Sequence, residues 1–402
     1  MKTRIAVLFG GRSPEHDVSV VTGLQALQAI DQERFSAFPV YVATDGNWFV
    51  GEALRDRSIY LPSGSTLEQL DSVTLDICPN VEGYGRLLLR QKRSLLRTPK
   101  PIEFDVALLA FHGLFGEDGR IQGLLEIANV PYTGMRPLAS SICMDKAATK
   151  RALAGTGINL LPSTIVRRPA SGFLPSTPEL EKQLPPEMPF PVIVKPVHLG
   201  SSIGVAKASN AEELRASLPS IFRLDTEALI EPFVQNLAEY NVAIRMVDGI
   251  PCTSAIERPK PAEELLDFKA KYLSADKRKT AGKTPGTVSQ GMLSLTRDIN
   301  PKLPSTFESK IRQWAQLCFA AVNGTGAPRI DFLSDEKTGE LWLNEVNPCP
   351  GSLGFFLWEA AETPLLFTNF LSFLIDEAFV LQRTIQLPSD PTQPDARLFK
   401  HP

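Results

Sequence analysis

The pattern of apolar and polar positions predicts an N-terminal unit of buried strands and covering helices. The run "IAVLF" (5–9) is continuously apolar, as in a strand covered on both faces, and a helical pattern follows from about Val18. "FSAFPVYVA" and "FDVALLAFHG" repeat the strand signature, and a second helical pattern covers 121–129. Together these elements predict an α/β domain with a parallel sheet over residues 1–140.

Two further units follow along the chain. The strand "PVIVKP", the Gly/Ser turn "LGSSIG", a helix, and the strands "EALIEPF" and "EYNVAIRMV" predict a small α+β unit over 141–245. Residues 246–385 hold a Lys-rich segment at 269–291, a helix near 306–323, and a hairpin in which "RIDFL" and "ELWLNEVN" flank "SDEKTG". A further helical segment follows this hairpin, and the Pro-rich tail 386–402 is expected to fray. The predicted fold class is therefore α/β, with α+β units after the first domain.

Composition and charge argue against several classes of protein. A formal charge of −3 over 402 residues gives no electrostatic case for binding nucleic acid or an anionic membrane. The basic run "RLLLRQKRSLLR" (86–97) is interpreted as a solvated face, with a ligand-facing patch as the alternative. No run approaches the roughly 18 apolar residues of a membrane span. The five scattered cysteines form no CxxC pair, which predicts reduced thiols in the cytoplasm.

The predicted hairpin carries candidate metal ligands. Because strand side chains alternate, Arg329 and Asp331 share one face of "RIDFL", and Glu345 and Asn347 share one face of "LWLNEVN". Two carboxylates and an amide oxygen suit Mg²⁺, which prefers hard oxygen ligands and completes its shell with water and phosphates. The alternative is a hairpin whose polar residues face solvent, although both strands are otherwise too apolar for that.

The central unit carries candidate phosphate ligands. Lys195 lies in an apolar strand, Lys146 opens a helix, and "GSSIG" (200–204) offers backbone N–H groups that can cover phosphates. Each signal is weak alone, since a Gly/Ser loop is usually only a turn. Cations on one side and a carboxylate metal site on the other form a clamp for a nucleoside triphosphate.

Seven stretches carry a resemblance to the D-alanine–D-alanine ligase family of the ATP-grasp superfamily, which extends over roughly residues 3–380. They are "LFGGRSPEHDVS", "HGLFGEDGRIQGLLEIANVPYTG", "MDKAATK", "VIVKPVHLGSSIGV", "DFKAKYLS", "RIDF" and "NEVNPCPG". Several long motifs in this order are more specific than any one of them. The resemblance implies a three-domain ATP-grasp fold and a homodimer. It also implies a role in peptidoglycan precursor synthesis.

The resemblance also implies the reaction and its cofactors. ATP phosphorylates the carboxylate of a first D-alanine, and the amine of a second D-alanine attacks the acyl phosphate. Two Mg²⁺ ions assist, with Mn²⁺ as an alternative ion. The implied metal ligands are Asp331, Glu345 and Asn347, with Glu345 bridging. The implied ATP ligands are Lys146 and Lys195 at the phosphates, Glu231 at the adenine, Glu239 at the ribose, and Lys271 in a loop that closes over ATP.

By the same resemblance, further residues act on the amino-acid substrates. Glu15 receives the ammonium group of the first substrate, and His112 lies near its carboxylate, with a purely structural histidine as the alternative. The spacing between Glu231 and Glu239 is one residue longer than the family usually shows, so Glu239 is the weaker match. The remaining implied catalytic groups are Ser201 and Tyr272 in the network of Glu15, Arg329 at the transferred phosphoryl group, and the Gly351 N–H in an oxyanion hole.

Two departures from the family pattern affect the expected activity. The segment after "KYLS" is longer and more polar than is usual in the family. Phe356 stands five residues after Gly351, where the family has a serine that receives the carboxylate of the second substrate. Either Ser352 or the backbone N–H of Gly354 takes over that contact, or the pocket accepts a different partner. The alternative function is therefore an ATP-grasp ligase that joins D-alanine or another amino acid to a different amino or hydroxy acid.

Two other classes fit the sequence less well. The order strand–"GGRSPEHD"–helix is compatible with a dinucleotide-binding oxidoreductase, but G-x-G-x-x-G and an acidic residue ending a second strand are missing. A non-catalytic nucleotide sensor on the same fold is disfavoured because Asp331, Glu345, Asn347 and both lysines are intact. The sequence therefore predicts an ATP-dependent, ADP-forming carboxylate–amine ligase.

Overall fold

A computed structural model describes most of the chain, and its strands form three sheets. The described residues are 2–60, 70–80, 82–90, 100–186, 188–260 and 297–385. Within these ranges the sheets contain seven, four and five strands, and helices accompany each of them. The predicted α/β class is confirmed. Lys271, Tyr272, the Lys-rich segment 269–291 and the tail 386–402 lie outside the described residues.

The first sheet combines parallel and antiparallel pairs. Its strands run in the order β6-β5-β4-β3-β2-β1-β7, where β1 pairs in parallel with β2 and β7 and the other pairs are antiparallel. The connections from β2 to β3 (43–47) and from β4 to β5 (76–84) are too short for the crossover that a parallel pair needs. The strands are β1 (Thr3–Gly10), β2 (Phe35–Val42), β3 (Trp48–Val50), β4 (Asp71–Leu75), β5 (Gly85–Leu89), β6 (Ile102–Phe104) and β7 (Val106–Leu109).

Helices cover this sheet, and strand β1, which lies between β2 and β7, is buried on both faces. Residues Ile5 to Phe9 of β1 are at most 1% exposed, as the continuous apolar run predicts. Leu87 of β5 is buried whereas Leu88 is 40% exposed, so the described start of the basic run has one solvated face. Two helices belong to this unit, α1 (His16–Ala29) and α2 (Arg120–Ile127).

The second sheet is antiparallel, in the order β10-β9-β11-β8. Asp145 caps the helix that begins at Lys146 by accepting hydrogen bonds from the N–H groups of Ala147 and Ala148, which fixes the position of Lys146 in the first turn. The strands are β8 (Thr164–Arg167), β9 (Val192–Pro196), β10 (Ala206–Ala208) and β11 (Glu227–Pro232). The helices are α3 (Pro137–Met144), α4 (Lys146–Leu153), α5 (Thr177–Gln183) and α6 (Ala211–Phe222).

The third sheet is also antiparallel, in the order β14-β13-β12-β15-β16. It contains the predicted hairpin, whose strands β15 and β16 are paired directly. The strands are β12 (Leu237–Val247), β13 (Ile250–Pro259), β14 (Arg297–Ile299), β15 (Arg329–Asp335) and β16 (Leu341–Asn347). The helices are α7 (Ser305–Ala321), α8 (Phe355–Glu359) and α9 (Phe367–Ile385).

One strand lies in a different unit from the one that the sequence pattern indicated. The sequence pattern predicts "EYNVAIRMV" in the central unit, but this stretch forms most of β12 and pairs with β13 and β15 of the third sheet. An apolar strand pattern shows burial and gives no information about the pairing partner. The domain boundaries at 140 and 245 stay a prediction. No helix in the described part of the chain has the length and apolarity that a membrane span requires.

Candidate active site

The pairing of β15 with β16 brings together the four polar residues that the sequence singled out. Asp331 lies opposite Glu345, and Arg329 lies opposite Asn347. Arg329 donates from Nε and Nη2 to the two oxygens of Asp331, both at 2.6 Å, and Asn347 Nδ2 donates to Asp331 Oδ2 at 2.9 Å. The predicted face therefore exists, and Asp331 is only 9% exposed on it.

Lysines from the central unit approach the carboxylate of Glu345. Lys146 Nζ lies 3.2 Å from Glu345 Oε2 and donates to the carbonyl oxygen of Leu199 at 2.5 Å. Burial by itself would raise the pKa of Glu345, but Lys146 and Lys195 outweigh it and hold this pKa below its usual value. Glu345 therefore stays ionised at neutral pH.

The chemistry of the donor set fits Mg²⁺. Asp331, Glu345 and Asn347 offer carboxylate and amide oxygens, the hard ligands that this ion prefers. No cluster of three or more His, Cys, Asp and Glu side chains suited to a metal occurs in the described part of the chain. Two carboxylates alone leave most of the coordination shell to water and phosphate oxygens, which is typical of Mg²⁺ at nucleotide sites.

Two lysines share the buried carboxylate of Glu231. Lys195 Nζ lies 2.6 Å from Glu231 Oε2, and Lys150 Nζ lies 2.6 Å from Glu231 Oε1. Lys195 also donates to Asn344 Oδ1 at 2.9 Å, which ties the second sheet to β16. Burial by itself would raise the pKa of Glu231, but the charges of the two lysines outweigh burial and hold this pKa below its usual value. Sequence reasoning missed Lys150, although its i+4 spacing from Lys146 in "MDKAATK" puts both on one helix face.

The Gly/Ser loop adopts the left-handed backbone conformation at several positions. Ser201 and Ser202 have φ values of 53° and 57°, and Gly204 has a φ of 76°. The hydroxyl group of Ser201 donates a hydrogen bond to Glu15 Oε1. The loop therefore lies next to the N-terminus of α1.

A histidine that sequence reasoning missed anchors the start of this loop. His198 Nε2 lies 3.8 Å from Asp145 Oδ2, and Nδ1 lies 2.9 Å from Asp225 Oδ1. Asp145 and Asp225 together raise the pKa of His198 to about 9, against the effect of burial. His198 is therefore a cation at neutral pH and links the cap of α4 to the turn before β11.

A second buried carboxylate lies beside Glu15. Glu117 accepts hydrogen bonds from the backbone N–H groups of Gly113 and Cys349, at 2.6 and 2.7 Å. Burial and the charge of Glu15 raise the pKa of Glu117 to about 8. Sequence reasoning did not single out this residue, although it lies in the quoted motif "HGLFGEDG".

His112 is connected to the turn that follows β16. Its Nε2 lies 2.8 Å from the hydroxyl of Thr22, which also accepts a hydrogen bond from the Ser352 N–H at 3.1 Å. Burial lowers the pKa of His112 to about 4, so the ring is neutral at pH 7. This geometry fits both a substrate-binding and a structural histidine, and the role of His112 stays a prediction.

The turn Gly351–Gly354 holds its backbone in an unusual conformation. Ser352 and Leu353 both have a φ of 54°, and Gly354 has a φ of 63°. Phe355 then stacks on Phe367 with ring centroids 4.5 Å apart, whereas Phe356 is half-buried with the Arg297 guanidinium 4.7 Å from its ring centroid. Phe356 thus packs against the apolar core and also contacts a cation.

The last expected ATP ligand, Glu239, lies on β12. Glu239 is exposed near the start of β12, and its backbone is paired with Leu333 of β15. Its role at the ribose stays a prediction.

Comparisons with known proteins identify the family. Residues 4–135 match the model of the D-ala D-ala ligase N-terminus, and residues 153–376 match that of the D-ala D-ala ligase C-terminus. The D-alanine–D-alanine ligase of Heliobacterium modesticaldum is 33% identical over 382 residues, covering 94% of both chains. The solved D-alanine–D-alanine ligase of Helicobacter pylori is 26% identical, with a TM-score of 0.67 and coverage of 92% of this chain and 99% of that one.

A further solved structure is similar in fold alone. The VanG D-Ala:D-Ser ligase of Enterococcus faecalis is 24% identical, with a TM-score of 0.68 and coverage of 94% of this chain and 100% of that one. The overall fold therefore does not distinguish between second substrates. Both family models match in order along one chain that has the ATP-grasp fold, and this chain belongs to the D-alanine–D-alanine ligase family.

Proposed function

We propose that this protein is an ATP-dependent, ADP-forming D-alanine–D-alanine ligase that makes a dipeptide for peptidoglycan precursors. The observation that carries the chemistry is the pairing of Asp331 with Glu345 beside Lys146. Carboxylate oxygens can hold a divalent ion, and a lysine beside them can pair with phosphate oxygens. Together they suit a nucleoside triphosphate and its ion. The relatives named D-alanine–D-alanine ligase supply the substrate class.

The proposed reaction proceeds in two displacements. A carboxylate oxygen of the first D-alanine attacks the γ-phosphorus of ATP, and the bond to the β-phosphate oxygen breaks to release ADP. The amine of the second D-alanine then attacks the acyl carbon, loses a proton, and expels phosphate as the carbon–oxygen bond breaks. Lys146 and Lys195 hold the phosphates, and Arg329 offsets charge on the transferred group.

Mg²⁺ would be held by Asp331, Glu345 and Asn347. The specific proposal is that two ions bind and that Glu345 bridges them. Mn²⁺ is the alternative ion. When bound, Mg²⁺ neutralises charge on the phosphate oxygens. The oxygen-only donor set supports this assignment. Burial raises the pKa of Asp331 to about 6, and the bidentate contact from Arg329 opposes this shift and keeps Asp331 oriented toward Asn347.

The substrate ligands are proposed from their contacts and from the family. Glu15, buried and bonded by Ser201, would receive the ammonium group of the first D-alanine, with His112 near its carboxylate. The Gly351 N–H would stabilise the tetrahedral oxyanion. The ATP ligands proposed beyond the two phosphate lysines are Glu231 at the adenine, Glu239 at the ribose, and Lys271, which like Tyr272 lies outside the described residues.

Incubation with ATP, Mg²⁺ and D-alanine tests the proposal. We expect equal amounts of phosphate, ADP and D-alanyl-D-alanine, measured by phosphate release and mass spectrometry. ATP hydrolysis without dipeptide, or no turnover with D-alanine, would refute it.

A second candidate function rests on Phe356, which has no hydrogen-bonding group where the family has a serine. This candidate is a ligase that joins D-alanine to another amino or hydroxy acid. A panel of second substrates with D-alanine held as the first decides between the two. In parallel, a sharp rise in the second KM in Ser352→Ala would identify Ser352 as the replacement contact.

We further propose that the protein is a cytoplasmic homodimer. The five cysteines lie within described residues and none is in a disulfide, which supports a reducing compartment. Light scattering is expected to give twice the chain mass of 44.1 kDa. A single-chain mass at micromolar concentration would contradict the dimer.

A further inference from the structure

Arg297 lies between an aromatic ring and a buried carboxylate. Its guanidinium is 4.7 Å from the ring centroid of Phe356, and its Nη1 lies 2.8 Å from Glu257 Oε2. Glu257 is 1% exposed, whereas the Arg297 side chain is 23% exposed. A cation held over an aromatic face is attracted by the partial negative charge of the π electrons there, so Phe356 supports the guanidinium from one side.

Within the described residues, Arg297 shares its carboxylate partner with a second cation. Glu257 also lies 4.0 Å from Arg329 Nη1 and accepts a hydrogen bond from Asn241 Nδ2 at 2.9 Å. One carboxylate is thus shared by two guanidinium groups. The Arg297 Nε is buried and has no hydrogen-bond partner among the described residues. A buried donor without an acceptor is costly, so this position favours an anionic ligand.

Position connects this cation to the proposed reaction. In an α-amino or α-hydroxy acid only one carbon atom, the α-carbon, separates the nucleophilic atom from the carboxylate group. A cation that binds this carboxylate must therefore lie close to Arg329, which is proposed to offset charge on the transferred phosphoryl group. Arg297 meets this condition, because it shares Glu257 with Arg329.

We propose that Arg297 binds the carboxylate of the second substrate and replaces the hydroxyl group that Phe356 lacks. The inference rests on the proposed ligase function. Arg297 would accept an amino acid or a hydroxy acid equally, since both carry the carboxylate. It would select against neutral analogues such as amides, because an amide offers no charge to pair with the guanidinium.

Arg297→Gln tests the proposal through the KM for the second substrate. We expect this KM for D-alanine to rise at least about tenfold, while the KM for ATP and for the first D-alanine stay within about twofold. The control is Arg258→Gln on β13, another arginine paired with a carboxylate (Glu336) and lying 5.9 Å from an aromatic ring (Tyr240). Its kinetic constants should match those of the wild type.

A neutral second substrate separates a binding role from a structural one. The wild type should prefer D-alanine over D-alaninamide, and Arg297→Gln should reduce this preference at least about tenfold. Adding Phe356→Ser to Arg297→Gln should recover part of the loss. Equal loss for acid and amide, or no recovery, would overturn the proposal.

Arg297→Lys keeps a positive charge beside Glu257 and serves if the Gln variant does not fold. It should raise the second KM severalfold, because lysine lacks the planar pair of donors that matches a carboxylate. An unchanged KM for the second substrate in this variant would refute the proposed role of Arg297 and leave the ligase function standing. Absence of dipeptide from the wild-type enzyme refutes the ligase function itself, so the two failures are distinguishable.

Discussion

At the residue scale, the candidate site depends on charged side chains that are held by neighbours of opposite charge. Glu231 lies between Lys150 and Lys195, and His198 lies between Asp145 and Asp225. Each buried charge would be costly alone, and each is offset by a partner within the same unit. These pairs fix the positions of the lysines before any ligand binds.

The charge on His198 predicts a pH-dependent contribution to stability. Its folded-state pKa is about 9 against an ordinary value of 6.5, so the contribution is fully present below pH 6.5 and is lost as pH rises through 9. We expect His198→Gln to lose about 1–2 kcal/mol at pH 6, a value reduced because the ring is about one third exposed. At pH 10 the variant should match the wild type. Urea unfolding at the two pH values checks this, and an equal loss at both would contradict it.

Glu345 is the residue whose charge we expect to matter most for turnover. Glu345→Gln should reduce kcat at saturating Mg²⁺ by at least about a hundredfold, because an amide cannot neutralise a bound cation. Glu340→Gln, on an exposed position just before β16, is the control and should keep the wild-type rate. Steady-state phosphate release measures both. A near-normal kcat in Glu345→Gln would remove it from the metal site.

At the element scale, the close approach of α1 to β1 positions Glu15. A Cβ atom at Gly23 of α1 would lie 2.4 Å from Cγ of Phe9 in β1, so the helix packs directly on the strand. Glu15 precedes the first turn of α1 and is 7% exposed. The helix therefore carries this carboxylate to the end of β1, beside Ser201.

Two helical glycines provide a matched test of this packing. Gly23→Ala should lower the free energy of unfolding by about 1–3 kcal/mol, since Phe9 must move to admit the methyl group. Gly123→Ala in α2 meets no atom within 4 Å and should be neutral or raise stability by up to about 1 kcal/mol. Denaturant unfolding of both variants decides. Equal changes in the free energy of unfolding of the two variants would contradict a tight contact between α1 and β1 at Gly23.

At the scale of the whole molecule, the first and last parts of the chain share one core. The buried cluster around Ile5, Phe9 and Leu24 also contains Trp358 and Phe370 of α8 and α9. Hydrogen bonds cross the same boundary, since the backbone N–H of Ser352 donates to the Thr22 hydroxyl and that of Cys349 donates to the Glu117 carboxylate. The candidate site is built where these parts meet.

Phe370 tests whether this shared core stabilises the whole fold. It is fully buried and stacks on Trp358 with ring centroids 5.8 Å apart. We expect Phe370→Ala to cost about 3–5 kcal/mol of unfolding free energy. Phe173→Ala, at an 84% exposed position, should change it by less than about 0.5 kcal/mol. A small loss in Phe370→Ala, measured by denaturant unfolding, would mean that the two parts are stable separately.

The sequence by itself determined which residues share a face and which segments are strands. Alternation put Arg329 with Asp331 and Glu345 with Asn347, because the two-residue repeat of a strand is a property of the backbone. Continuous burial of β1 and the helix Ser305–Ala321 followed from the same local rules. Motif order was enough to indicate the family.

Only the tertiary structure decided which of these faces meet. The contact of Lys146 with Glu345, the sharing of Glu231 by Lys150 and Lys195, and the pairing of β12 with β15 all join distant segments. The position of Arg297 against Phe356 is of the same kind. Local periodicity fixes the direction of a side chain relative to its own backbone. Partners across the fold depend on how whole surfaces pack, and no local pattern contains that information.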